Sequence, residues 1–410
     1  MSRTPTLAPN LAIALVIAAA TYTAVLCFLN TRVIGISNVH VAVADGAILL
    51  AASALAAHRA ARWFWTLLAA LTANVLLLSL VTGEFDAKAV RDPLVLITFV
   101  ALGWRYGGFE RARSAFFIVS AIVLVFAAFE YLTPDTYTTF FNVIRFYAAR
   151  GIVDAEAIRN LDSQFFLSGA RDGERMLAPF LGAHRVSSIF LEPVSMGNFG
   201  ALALIFALSL EGAHWRTALA IGAVALITIV LADARFASMA AILFVVVRLL
   251  PVHWMRIGLP MLPLVGIALL IGFALSDVGR GDDMPTRLAG AGRVLMDMSP
   301  PAFFGLSSYE IATVDSGYAY AFSALGLPFC IALWTAFVLL PAPNVEAQRY
   351  KMLLGVYIAA LLCISGTSLF ALKTAGLGFF ILGALAAPRT APARFARRAL
   401  ARRSAEGAPA

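Results

Sequence analysis

The stretch "RVSSIFLEPVSMGNFGAL", residues 185–202, places Arg185, two serines and a Glu192-Pro193 pair at the mouth of a long apolar run. Charge at such a boundary is suited to chemistry on an amphiphilic substrate. Other arginines recur nearby: Arg145, Arg150, Arg159, Arg171 and Arg175 before it, and Arg280, Arg287 and Arg293 in a later polar stretch. Neither stretch contains lysine. The planar guanidinium fork matches phosphate and carboxylate in a bidentate way. An anion such as a lipid-linked diphosphate is therefore one expected ligand. The alternative for each loop arginine is pairing with the loop acids Asp154, Glu156, Asp162, Asp172, Glu174, Asp282 and Asp283. Arg235, in "LADARFASMAAI", stands alone beside apolar residues, and a pair with Asp233 is its plainer role. Asp315, in "TVDSGYAYAFSALGLP", offers a carboxylate that can take a proton from a sugar hydroxyl. It can equally cap the helix that follows.

Several chemistries lack their motifs. There is no Walker loop, no His/Cys cluster at zinc spacing and no nucleophile elbow. Gly281-Asp282-Asp283 is the nearest approach to a cation site, and adjacent loop acids are more often solvated. Neither a metal nor a cofactor is expected. Cys27, Cys330 and Cys363 all fall in apolar runs, so no structural disulfide is expected.

The elements that must position these residues follow from composition. The chain is 61% hydrophobic and 13% charged over 410 residues, with mean hydropathy +0.86. Soluble domains carry about 25% charged residues. Apolar runs of membrane-crossing length recur at 9–29, 39–57, 63–82, 92–104, 114–133, 189–210, 216–232, 236–250, 256–275, 318–340, 352–370 and 373–388. The expected fold is all-α, one polytopic membrane domain over 1–388 with about 12 transmembrane helices and a basic cytoplasmic tail, 389–410. Lys and Arg concentrate on the side of that tail, which puts both termini inside. The net charge of +8 then reflects membrane orientation and anionic headgroups, with no nucleic acid implied.

Two connections are long, 134–188 and 276–317, and both fall on the outer face. Within the first, "FFNVIRFYAARGI" reads as an amphipathic helix, lying either in the interface or packed on the rest of its loop. Asp92-Pro93 and Glu192-Pro193 both read as a helix cap followed by first-turn proline. Helix N-termini facing outward favour anions. Within the spans, charge is expected mainly at Asp45 and Glu130.

These segments resemble the Wzy-type polysaccharide polymerases, relatives of the O-antigen ligases. "RVSSIFLEPVSMGNFGAL" looks like that family's Arg-x-Ser-Ser-x-Phe-x-Glu-Pro stretch. "LADARFASMAAI" is similar to its Ser-Arg-small motif, and "VDSGYAYAFSALGLP" to the segment closing its second large loop. The ligases carry histidine where this sequence has Asp315, which favours a polymerase. The resemblance covers most of 114–388. It implies a GT-C-like, metal-independent glycosyltransferase of the bacterial inner membrane, with its site facing the periplasm. The substrate would be an oligosaccharide on undecaprenyl diphosphate. Arg185, Arg235 and Arg293 would stabilise the departing diphosphate, with Arg280 and Arg287 as further substrate contacts. Asp315 would be the base. Glu192 would orient an arginine or contact sugar hydroxyls, and Tyr318 would stack on or hydrogen-bond a sugar. Membrane lipids, a chain-length regulator and a flippase are the implied partners. The rival readings are an O-antigen ligase-like transfer and a non-enzymatic transporter or flippase for lipid-linked glycans.

Overall fold

The structure is a computed structural model and describes residues 7–57, 61–153, 165, 169, 175–276, 283–307 and 316–388. Among these residues the regular structure is wholly helical. The first half contains α1 (Leu7–Arg32), α2 (Asn38–Ala57), α3 (Arg62–Thr82), α4 (Ala87–Tyr106) and α5 (Phe109–Leu132). Two short helices follow, α6 (Pro134–Phe140) and α7 (Val143–Ala149). Then come α8 (Pro193–Ser209), α9 (Trp215–Ala232), α10 (Arg235–Leu249), α11 (Val252–Gly258), α12 (Leu262–Leu275), α13 (Met284–Met296) and α14 (Pro300–Phe303). The chain closes with α15 (Gly317–Leu325), α16 (Leu327–Leu339), α17 (Val345–Leu362) and α18 (Leu372–Ala386).

Each apolar run read from the sequence contains a helix. Six helical stretches are long and apolar enough to cross a bilayer alone: α1, α2, α3, α5, Gly212–Ala232 and Val252–Leu275. The pair α15–α16 would make a seventh. Hydrocarbon offers a backbone no hydrogen-bond partner, so helices that satisfy themselves are the expected solution. Among the described residues this is an all-helical, membrane-embedded protein.

Burial divides the helices into an inner and an outer set. α8, α17 and α18 are buried along almost their whole length. α3 and Val252–Leu275 bury only 17% of their apolar windows, and Leu76, Leu77, Leu80, Leu264 and Val265 stand exposed. Such faces suit lipid. The inner set is held by close backbone approach. A Cβ at Gly383 on α18 would lie 2.0 Å from the Val100 carbonyl oxygen of α4, and one at Gly103 would lie 2.0 Å from that of Phe380. Gly107, four residues on, would meet Ala384 at 2.3 Å. Glycines spaced by three residues allow this packing where lipid supplies no hydrophobic drive.

Four expectations change. The fourth run is a full helix from Ala87, capped by the Asp86 side chain on the Lys88 amide. Asp92 therefore lies inside α4 and is not its cap. The run 318–340 is broken: α15 and α16 meet at 108°. Gly326, at φ +74°, supplies the break, and Pro328 opens α16. The Asn74 amide of α3 donates to the Leu325 carbonyl at 2.9 Å, satisfying a group the break exposes. The run 352–370 divides into α17 and an irregular stretch ending in the short turn Ser368–Phe370. Finally, α7 buries Val143, Ile144, Phe146 and Tyr147, so its apolar face packs into the protein.

Gly383→Leu should cost about 1–3 kcal/mol or more through overpacking and lower the melting temperature of the detergent-solubilised protein. Gly272→Leu is the control, since a Cβ there meets nothing within 4 Å. Equal losses in the two variants would show that the α4–α18 contact is not special.

Candidate functional site

The 185–192 motif is built around a buried carboxylate of α5. Glu130 accepts hydrogen bonds from the amides of Ser187 (2.9 and 3.1 Å) and Ser188 (2.6 Å). His184 Nε2 lies 3.0 Å from its other side. The Ser188 hydroxyl donates to the Val123 carbonyl at 2.7 Å, and Tyr137 donates to the Ser188 carbonyl at 3.0 Å. These contacts hold Ser188 (φ +53°) and Leu191 (φ +62°) in the left-handed region, at about 1–2 kcal/mol each. The paired serines are thus a backbone anchor.

Arg185 is 4% exposed. Its guanidinium donates to the carbonyls of Ala232 (3.0 Å) and Asp233 (3.2 Å). Arg175 donates to the Val230 carbonyl at 2.9 Å and also to that of Leu231. Asp233, at φ +45°, ends α9 and accepts from the Leu177 amide at 2.8 Å. Two arginines therefore cover the negative end of α9, where carbonyls lack helical partners. Arg235 is the first residue of α10, two positions beyond.

Glu192 precedes Pro193 at the start of α8, as its sequence suggests. Its side chain does not cap that helix. The carboxylate accepts from Tyr147 (2.5 Å), Ser195 (2.8 Å) and Lys373 (3.0 Å). Lys373 also donates to the Phe190 carbonyl at 2.9 Å. The Lys373 ammonium and the two hydroxyls therefore answer the Glu192 carboxylate from within the protein. Sequence reasoning missed Lys373, although a lone lysine opening the last apolar run was the signal for it.

A second charged group lies on α2 and α4. Arg91 Nε and Nη2 contact Asp92 Oδ1 at 2.9 and 2.7 Å. Its Nη1 reaches Asp45 Oδ2 only at 3.4 Å. Tyr320 of α15 donates to Asp92 Oδ2 at 2.8 Å. Tyr22 lies against Asp45, and Lys373 and Arg150 are within its electrostatic reach. Arg150 is held by Asn38 at 3.1 Å and stacks over Phe146 and Tyr147. The two groups therefore form one network of carboxylates, cations and tyrosines across α1, α2, α4, α7, α8, α15 and α18.

An apolar cleft of about 1270 Å³ opens beside this network. Leu96 and Ile97 line it from α4, Phe322 from α15, Trp334 from α16, and Phe370 and Phe379 from the C-terminal part. The rings of Tyr320 and Phe370 lie 6.3 Å apart, which ties the polar network to the cleft wall.

No family model, curated protein or solved structure matches this chain.

The remaining predicted residues scatter. Tyr318 is buried, donates to the Ala359 carbonyl at 3.2 Å and presses against Gly266. It lines the cleft and does not face the network, where Tyr320 stands instead. Arg287 and Arg293 are exposed on α13. Asp283 caps that helix on the Thr286 amide at 2.9 Å, which lowers its carboxyl. Asp315 and Arg280 lie outside the described residues. At the opposite helix ends, Glu346 accepts from His214 (2.8 Å) and from the Glu211 amide (3.2 Å), and Arg349 pairs with Glu211.

Two outcomes follow for the polar groups. Arg185→Ala should lower thermal stability by about 1–3 kcal/mol, because it leaves buried carbonyls without donors; unchanged melting would free Arg185 from a structural role. Glu192→Gln should likewise lower thermal stability by about 1–3 kcal/mol, because it leaves the buried Lys373 ammonium without its carboxylate partner; unchanged melting would overturn the pairing as a structural contact.

Proposed function

We propose that this chain is a polysaccharide polymerase of the bacterial inner membrane. It would transfer glycan from undecaprenyl diphosphate to the terminal sugar of a lipid-linked repeat unit, on the periplasmic face. The observation that carries this reading is the pairing of a polar network with an apolar cleft of about 1270 Å³. A ligand with a hydroxyl-rich head and a long hydrocarbon chain fits both parts at once.

The twelve-span topology is supported by which helix ends touch. Alternation assigns Asn38 and Arg150, Asp45 and Arg91, Asp92 and Tyr320, Glu192 and Lys373, and Arg185 and Asp233 to the outer face. Each of these is a contacting pair. It assigns Glu211 with Arg349, His214 with Glu346, and Arg248 with Leu208 to the inner face, and these pairs also touch.

In the proposed reaction the acceptor hydroxyl gives its proton to a carboxylate, for which Asp315 remains the candidate by resemblance. The hydroxyl oxygen bonds to the anomeric carbon. The bond from that carbon to the diphosphate oxygen breaks, and its electron pair leaves with the lipid diphosphate. Arg235, with Arg280, Arg287 and Arg293 from the second outer loop, would stabilise that charge. Arg185 would act by holding the 232–235 turn that presents Arg235.

A transporter of the same lipid is the second reading. The broken pair α15–α16 favours it, since discontinuous helices often form transport sites. Purified protein in proteoliposomes, given a lipid-linked repeat unit without nucleotide or added metal, should produce longer glycan-lipids. Transbilayer movement of unit-length lipid with no elongation would replace the enzyme by a transporter.

A further inference from the structure

We propose that Asp45 and Arg91 form a hydroxyl-binding subsite for the acceptor glycan. This rests on the glycan-transfer reading and deepens it.

The contrast between two intramembrane carboxylates is the starting point. Glu130 uses both oxygens on two amides, with His184 beside it. Its role is complete within the protein. Asp45 is different. Its side chain is 8% exposed, its Oδ2 makes the long 3.4 Å contact to Arg91, the Tyr22 hydroxyl lies beside the carboxylate, and its Oδ1 has no hydrogen-bond partner among the described residues. A buried acceptor without a donor costs about 1–3 kcal/mol. A ligand that brings its own donor removes that cost.

Arg91 supplies the complementary half. Its side chain is 37% exposed, whereas that of Asp92 beside it is 3% exposed. Asp92 grips one edge of the guanidinium, and Tyr320 holds Asp92 in place. Of the five N–H donors on the fork, those on Nη1 have no short bond. The loose contact to Asp45 lets Nη1 swing aside and open the carboxylate.

A carboxylate oxygen without a donor, beside guanidinium donors with only a long contact, matches a sugar. Each hydroxyl both donates and accepts, so one can give its proton to a hydrogen bond with Asp45 while its neighbour accepts from Arg91. A phosphate offers acceptors only and would meet the Asp45 charge. The surroundings add no net attraction for an anion. Arg91, Arg150 and Lys373 are matched by Asp45, Asp92 and Glu192. Position supports the same ligand. Leu96 and Ile97, one turn along α4 from Asp92, already line the apolar cleft. A lipid seated there carries its head to this network.

The test uses full-length protein in nanodiscs and two probes. One is the pool of lipid-linked repeat units extracted from the native membranes. The other is sugar-free undecaprenyl diphosphate. Asp45→Asn and Arg91→Gln should weaken binding of the glycan-bearing lipid about tenfold or more and leave the sugar-free lipid unchanged. In elongation, the same variants should raise the half-saturating acceptor concentration more than they lower the maximal rate. Retained glycan binding would reduce the pair to a structural ion pair. Equal loss of both lipids would make it a phosphate or tail site. Tyr320→Phe, which removes only the hydroxyl that positions Asp92, should show a smaller loss on the glycan-bearing lipid alone, and it carries the test if Asp45→Asn does not fold. The two proposals separate cleanly. Glycan binding that depends on Asp45 without any elongation would keep the subsite and remove the polymerase. Elongation indifferent to Asp45→Asn would do the reverse.

Discussion

Hydrocarbon gives a polar group nothing to bond with, and that scarcity organises this protein. Buried charges gather at helix ends or inside the inner helices, and most are answered from within. Arg175 and Arg185 cover the carbonyls that end α9. Lys351 does the same for Val338 and Leu340 at the end of α16. Glu130 answers two amides of an irregular turn. In water each of these contacts would compete with solvent and contribute little. In lipid the alternative is an unsatisfied group at several kcal/mol, so the same contacts decide which loops can sit near the bilayer at all.

This constraint also explains what could be read from the sequence. Helix existence was legible, because length and hydropathy report it directly. Charge pairing was not. Ser187 and Ser188 sit beside Arg185 in the chain, yet their partner is Glu130, more than fifty residues earlier. Arg185 has the residue type and position of a phosphate ligand, but its carbonyl partners become visible only when α9 and the loop are assembled. Arg91 lies outside the apolar run that hydropathy delimits, and α4 starts a turn before it. The break at Gly326 left no trace in hydropathy, since both halves are apolar. Only the "LGLP" of residues 325–328 hinted at it. Tyr318 and Tyr320 differ by two residues, and helical rotation sends one to Ala359 and the other to Asp92.

The inner packing and the cleft share a cause. Glycines on α4 and α18 bring two backbones into contact on one side of the inner set. On the other side, the 108° bend swings α16 away from the line of α15. The helices therefore close tightly where small residues allow it and stay apart where the bend forces them to. Trp334 and Phe337 of α16, with Leu96 and Val100 of α4, are left facing a shared apolar space. The Asn74 bond to Leu325 keeps this bend from leaving a carbonyl unanswered.

The distribution of charge around that space bears on how a glycan-lipid would be handled. A diphosphate needs excess positive charge, which the proposed site would draw from Arg235, Arg287 and Arg293. The network on α2, α4, α8 and α18 has no such excess, because its cations are matched by Asp45, Asp92 and Glu192. A site that bound both ends of the substrate through arginine alone would hold the product diphosphate as firmly as the donor. Separating a cationic region from a neutral one avoids this. In the proposed enzyme, phosphate affinity and sugar affinity would then be set independently, and the neutral network would select for hydroxyl geometry without retaining the spent lipid carrier.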